Sequence, residues 1–404
     1  MGKKKKSLIE CKYWSKYHFI ALAVPICCML TTYLQIPEMK SYKEINNEQK
    51  IEIFPYYFNI FISKLLTIFL ILLSKYKNRK SSSETIEKIN TKTMRRYHLD
   101  VNNKCRKLKA ALLIIFISIL ESIFKIEGYN TIGESNYIEL KLGFILLVPI
   151  LSIFILKRHF YRHHIFSFST CIIAFILICF SSFFYEVKPT LIAQIRHLLF
   201  SIPLGLAFVL IKYLYETSFV DAFTFLFFDG ILSILIPLIY VGIYSIFTEH
   251  DFFYRNMKGV ALLFHDYTIM IYFFLVVICS FGYHLTNALT IYLFNPSLMV
   301  MTDILSPFFR CIIEIIIEII NENKIKEDIK IIIFKGSGFL IIIFSSIVFN
   351  ELLILHFCDL DRNIEANIKQ RADNEILESY DNSFNKEYED DRTSKSGISE
   401  LSFE

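Results

Sequence analysis

The sequence predicts an all-α integral membrane protein with about ten transmembrane helices arranged as a 5+5 inverted repeat. Three observations carry this expectation. Of its 404 residues 54% are hydrophobic and the mean hydropathy is +0.45, and the apolar residues gather in runs of about 20, the length that crosses a bilayer. Counting those runs as spans puts every strongly basic loop on one side. Finally, prolines and lone charges recur at matching places in the two halves. A soluble domain of this length would show amphipathic periods instead.

In chain order, residues 1–17 open with Met1-Gly2-Lys3-Lys4-Lys5-Lys6-Ser7 and read as a basic cytosolic N-terminus lying against anionic lipid. Lys6 stands where myristoylation wants Ser or Thr. The expected spans are 18–36, 54–74, 110–126, 137–156, 165–187, 197–215, 218–247, 268–294, 297–320 and 331–357. The first is too long for a cleaved signal segment and ends without a small-residue cleavage site. Residues 18–187 thus form the first five-helix repeat and 196–357 the second.

The loop 75–109 carries twelve lysines and arginines against three acidic residues, and 157–164 is also basic. Loops of the other parity are near neutral or slightly acidic. This bias sets both termini in the cytosol. Residues 358–404 are rich in Glu, Asp, Asn, Ser and Lys and read as an acidic, disordered cytosolic tail. Nine scattered cysteines with no CxxC spacing argue against a disulfide framework and offer no metal-ligand pattern.

Charges inside the spans are the candidate functional residues, because each costs several kcal/mol in hydrocarbon, on the order of 2.5–3.5 by insertion scales, unless it faces a partner or water. The ninth span holds Asp303, Arg310 and Glu314, which fall within roughly 40° of one another on a helical wheel. Arg310 and Glu314 stand at i,i+4 and could also neutralise each other. Lys64 lies at the middle of the second span and Asp229 near the middle of the seventh, so the two are expected to pair. Glu121, in the third span, is the other candidate partner for Lys64. On the eighth span, His284 and Asn287 sit at i,i+3 and suit interhelical hydrogen bonding. Pro149 in the fourth span and Pro307 in the ninth are expected helix breaks flanking a binding site. His159, His163 and His164, set among Lys157, Arg158 and Arg162, read as a basic cytosolic anchor in preference to metal ligands.

Three stretches carry a family resemblance. Lys212-Tyr213-Leu214-Tyr215-Glu216 through Phe228-Asp229-Gly230-Ile231, Met299-Val300-Met301-Thr302-Asp303-Ile304-Leu305, and Gly338-Phe339-Leu340 through Phe349-Asn350-Glu351 resemble the sixth-to-seventh junction, the ninth helix and the closing helix of the drug/metabolite transporter superfamily, in its nucleotide-sugar-transporter-like (solute carrier family 35) branch. The likeness covers mainly 196–360. It implies a carrier with alternating access and central substrate contacts. Carriers of phosphorylated sugars in that superfamily usually have a basic residue where Ser306 and Pro307 stand here, with Arg310 a turn further on.

The expected function is therefore a multi-pass carrier for a small metabolite, a nucleotide sugar or another small organic solute. The alternatives are a non-transporting membrane receptor or scaffold, and an intramembrane enzyme. Asp229 and Asp303 could nominally serve as a hydrolytic aspartate pair, but the Gly-x-Gly-Asp context of such enzymes is missing, as are HExxH, GxSxG and phosphate-loop motifs. No enzyme activity, cofactor or metal is expected. The expected partners are the lipid bilayer, a small-molecule substrate, protons as coupling ion and a second copy of the chain, without nucleic acid. The membrane of residence is an internal one, Golgi or vesicle, or the plasma membrane.

Overall fold

A computed structural model describes residues 9–11, 18–46, 53–77, 106–131, 137–157, 161–181, 191–248, 250–303, 329–349, 351 and 353–356, with 305, 306, 309, 312, 313 and 316. It is mostly helical. The helices are α1 (His18–Asn46), α2 (Ile53–Leu65), α3 (Thr67–Lys77), α4 (Arg106–Thr131), α5 (Tyr137–Leu156), α6 (Arg162–Ser181), α7 (Leu191–Ser218), α8 (Ala222–Phe247), α9 (Phe252–Leu262), α10 (Tyr267–Leu293), α11 (Pro296–Asp303) and α12 (Ile329–Phe349). Two short strands, β1 (Ile9–Cys11) and β2 (Leu353–Leu355), pair antiparallel with Ile9 opposite Leu355.

Polar side chains start several of these helices. Asp221 caps α8 by accepting from the Thr224 N–H at 2.9 Å, and Asp266 caps α10 by accepting from Thr268 and Ile269. Asn295 accepts from the Leu298 N–H at 2.6 Å, and Pro296 follows at the first helical position, where its missing N–H costs nothing. The start of α2 is capped from a distance: the Phe54 N–H donates to Oδ1 of Asn256 on α9 at 2.9 Å. Helix α9 lies in a stretch that hydropathy alone reads as a loop.

Three helices are long and apolar enough to cross a membrane among the described residues, Ala222–Phe247, Tyr267–Leu293 and Ile332–Phe349. Shorter apolar helical stretches run Phe19–Thr31, Tyr57–Leu73, Leu147–Leu156 and Arg162–Ile178. Their outward faces are hydrophobic. On α8, Leu235, Ile239, Ile243 and Ile246 are exposed while Phe225, Asp229, Ser233, Pro237 and Val241, four residues apart, are buried. On α4, Leu112, Phe116, Ile119 and Ile123 are exposed while Ser118 and Ser122 are buried. Apolar outside and polar inside inverts the pattern of a water-soluble helix and is compatible with a membrane protein.

Two compact units are distinguished along the chain. The larger spans 14–159 and 168–346. In it α1 packs on α10 and α11, α7 on α4 and α5, α8 on α2, α3 and α4, and α10 on α2. Helix α11 is buried along its whole length, Pro296 to Asp303, against α1, α5, α7 and α10. The smaller unit spans 1–13, 160–167 and 347–404; among its described residues Val348, Leu355, Phe166 and Leu353 pack together.

Several expectations are corrected. The fourth span is not broken at Pro149: α5 runs through it without interruption, as α7 and α8 run through Pro203 and Pro237. A proline removes one ladder bond, and neighbouring helices absorb that loss. The break falls instead in the second span, at Leu66, where no proline stands. There the Thr67 hydroxyl donates to the Lys64 carbonyl at 2.6 Å, a local side-chain bond that competes with the helical ladder. The closing helix ends at Phe349, with Glu351 at φ 56° in the left-handed region, and the apolar run continues as β2. His163 is not a solvated anchor: it is 3% exposed, and its Nε2 lies 3.4 Å from Glu351 Oε1. His159, Pro307, Arg310, Glu314 and the tail 358–404 lie outside the described residues.

Candidate functional site

Lys64 lies in the last turn of α2, two residues before the break at Leu66. Its ammonium has three hydrogens, and the structure gives each an acceptor: Oδ2 of Asp229, Oε2 of Glu121 at 3.4 Å and Oγ of Ser233 at 3.3 Å. Lys64 and Asp229 are each 1% exposed. The other Asp229 oxygen, Oδ1, accepts from the Ser118 hydroxyl at 2.6 Å. The lysine of the second span, the glutamate of the third and the aspartate of the seventh thus meet in one buried cluster, with Ser118 and Ser233 completing their hydrogen bonds.

The backbone is shaped to allow this meeting. A Cβ added at Gly230 would lie 2.8 Å from Lys64 Cβ and 3.4 Å from its carbonyl carbon. Only a residue without a side chain lets α8 come so close to the end of α2. The Tyr57 hydroxyl, one face of α2 further back, donates to the Ser122 carbonyl at 3.2 Å and ties α2 to α4. Ser280 of α10 donates to Ser63 at 3.4 Å beside the same break. An ion pair so fully desolvated is held only when the remaining donors and acceptors are satisfied, which the two serines accomplish here.

Tyr215, at the C-terminal end of α7, lies within electrostatic reach of Asp229, Asp221, Glu121 and Tyr292. Its ring stands edge-on to Phe225 and Tyr292. The hydroxyl is buried and has no hydrogen-bond partner among the described residues. On the same helix, Lys212 donates to the Tyr292 carbonyl at 2.8 Å.

Asp303 occupies a second place. It is 6% exposed at the end of α11 and accepts from the Tyr283 hydroxyl of α10 at 3.3 Å. Asn287, one turn after Tyr283 on α10, is 9% exposed, and its Oδ1 has no hydrogen-bond partner among the described residues. Hydropathy and charge pointed to Lys64, Glu121, Asp229 and Asp303. They gave no sign of Ser118, Ser233 or Tyr215, because hydroxyls cost little in an apolar helix and become informative only once a charge is placed beside them. Gly230 next to Asp229 was the one visible hint of close packing. The sequence matches no protein-family model, and no curated protein matches it either.

Proposed function

We propose that the chain is a multi-pass membrane carrier, built from ten spans as a 5+5 inverted repeat with both termini in the cytosol, that moves a small solute by alternating access. The observation that carries this reading is where the buried charges sit relative to the helix packing. Take α1, then α2 with α3, then α4, α5, α6, α7, α8, α10, α11 and α12 as spans one to ten. Exchanging spans one to five with spans six to ten maps the most extensive packed pairs onto one another, while the smaller contacts of α10 with α7, α8 and α11 and of α11 with α7 have no such counterpart among the described residues. The first–eighth contact (α1 with α10) becomes the sixth–third (α7 with α4). The second–eighth (α2 with α10) becomes the seventh–third (α8 with α4), and the fourth–sixth (α5 with α7) becomes the ninth–first (α11 with α1). Two pairs map onto themselves, second with seventh and fourth with ninth.

Those two self-mapped pairs are the repeat interface, where solute sites of inverted-repeat carriers lie. The Lys64–Asp229 ion pair crosses the second–seventh contact. Asp303 lies within the ninth span, on α11, which packs on the fourth. A cluster of charges at this place, next to a helix break and surrounded by outward apolar faces, supports a pathway role over simple packing. The same arrangement supports the drug/metabolite-transporter-like reading and leaves both a nucleotide sugar and another small organic solute as substrate classes.

The test is uptake. The purified full chain, reconstituted in liposomes, is offered radiolabelled nucleotide sugars, amino acids and organic cations. Time-dependent, saturable accumulation of one class above protein-free liposomes is the expected result. Uptake of every class equal to the protein-free background would overturn the carrier reading.

A further inference from the structure

Helix α10 carries a polar stripe through an apolar span. Ser280, Tyr283, Asn287 and Thr290 stand at i, i+3, i+7 and i+10, within roughly 80° of one another on the helical wheel. Three of the four have partners. Ser280 donates to Ser63 of α2 at 3.4 Å, Tyr283 to Asp303 of α11 at 3.3 Å, and Thr290 to the Thr286 carbonyl at 2.7 Å. Asn287 is the exception. It is only 9% exposed, and its Oδ1 has no hydrogen-bond partner among the described residues. A buried acceptor left unpaired is costly, so a side chain that keeps one asks for an occupant of another kind.

The packing around the stripe bears on that occupant. Phe58 stacks on Phe273 and Ser63 meets Ser280, so α2 and α10 run side by side in the same sense. Asn287 stands seven residues beyond Ser280, about 10 Å further along the axis. That is past the level at which α2 ends at Leu65, and α3 carries on against α8. The break at Leu66 therefore leaves Asn287 on a stretch of α10 that α2 does not cover. The stripe also meets the second span through Ser280 and the ninth through Tyr283, so it runs between the two places where the repeat interface holds buried charge. Lys64 and Lys212, the buried ammoniums placed at this depth by their contacts, already have acceptors. What the stripe offers at Asn287 is an oxygen. We propose that Asn287 is a solute-contacting residue, whose Oδ1 accepts a hydrogen bond from an N–H or O–H of the solute moving along the α10 stripe, and that it selects solutes carrying such donors over solutes that have none. The proposal rests on the carrier reading and deepens it: the donor is an amine or a hydroxyl, and both meet an amide oxygen by the same chemistry.

The experiment has two arms on the full chain in phosphatidylcholine–phosphatidylglycerol liposomes. The first needs no solute. Asn287→Cys and Ala288→Cys variants are treated with 2-aminoethyl methanethiosulfonate, which reacts with thiols that water reaches, and peptide mass spectrometry assigns each label to its residue, so the native cysteines stay. Ala288 is 4% exposed and points a different way around α10. Label on the Asn287→Cys variant and none on Ala288→Cys is the expected result. No label on either, or equal label on both, would overturn the proposal. The second arm measures uptake of nucleotide sugars, amino acids and tetraethylammonium, the last of which has no N–H or O–H. Asn287→Leu should raise the half-saturating concentration of a donor-bearing solute about tenfold, the worth of one hydrogen bond, and leave tetraethylammonium unchanged. Which solute responds tells whether an amine or a hydroxyl is read. Unchanged uptake curves would mean that Asn287 holds a water only and would overturn the proposal, as would an equal loss for tetraethylammonium. If the leucine variant does not fold, the labelling arm still decides. The two readings fail separately: full uptake by Asn287→Leu strikes down this inference alone, whereas no uptake of any solute by the unaltered chain strikes down the carrier and the solute contact with it.

Discussion

Replacing Lys64 by methionine removes the one cation that two buried carboxylates share, while keeping a side chain of similar length at the end of α2. Removing one partner of a buried ion pair leaves an uncompensated charge and costs about 3–5 kcal/mol. The structure sets the order within that range. Lys64→Met takes the ammonium from both Asp229 and Glu121, so it belongs at the upper end. Asp229→Leu leaves Lys64 with Glu121 and Ser233 as acceptors and belongs at the lower end. Glu121→Gln weakens the longest and most exposed contact of Lys64 and should be the mildest of the three. The double variant Lys64→Met/Asp229→Leu leaves no unpaired charge on the second–seventh contact. It should therefore be less damaged than the sum of the singles by at least about 0.5–3 kcal/mol, the usual coupling for contacting residues. Denaturant titration of the reconstituted protein, followed by helical circular dichroism, gives all four free energies. Strict additivity would refute the account, since two residues that do not meet have nothing to couple.

Three further expectations follow from single contacts. Gly230→Ala drives a methyl into Lys64 at 2.8 Å and should destabilise by about 1–3 kcal/mol, whereas Gly242→Ala on the same helix, where nothing lies within 4 Å, should be neutral in the same melt. Asn256→Ala removes the acceptor for the Phe54 N–H, and the loss of a helix N-cap of this kind costs about 1 kcal/mol; faster amide exchange confined to the start of α2 is the reading that checks it. Asp303→Asn keeps an oxygen for the Tyr283 hydroxyl and should leave stability unchanged while lowering the affinity for a cationic solute severalfold. An uptake curve identical to that of the unaltered chain would remove Asp303 from the solute path.

The charges at the heart of the site were legible because hydrocarbon makes them expensive. Lys64 stands alone in its apolar run and Glu121 and Asp229 lie deep in theirs, so each demanded a partner, and the number of candidates was small. What could not be read was the place of the helix break. Pro149 announces a break that packing overrides, while the break at Leu66 has no proline and is marked only by a threonine hydroxyl bonded to a carbonyl beside it. A threonine in an apolar helix gives no such warning, because the same residue usually bonds back without consequence. The end of the closing helix was hidden for another reason. Leu353–Leu355 continues the apolar run, and a short apolar run looks alike as helix or strand until its pairing with Ile9–Cys11 is seen. Helix α9 escaped because its eleven residues are amphipathic and fall below the length of a span.

Solute counterflow tests the central claim most directly, because it separates a carrier from a channel and reports on the site at once. Liposomes holding the full chain are preloaded with the unlabelled form of whichever solute is taken up, then diluted into a trace of the labelled form. A carrier whose path crosses the Lys64–Asp229 contact should give a transient overshoot of label, and Lys64→Met should abolish it. An absent overshoot in the unaltered chain, or an overshoot that Lys64→Met leaves at full height, would contradict the account.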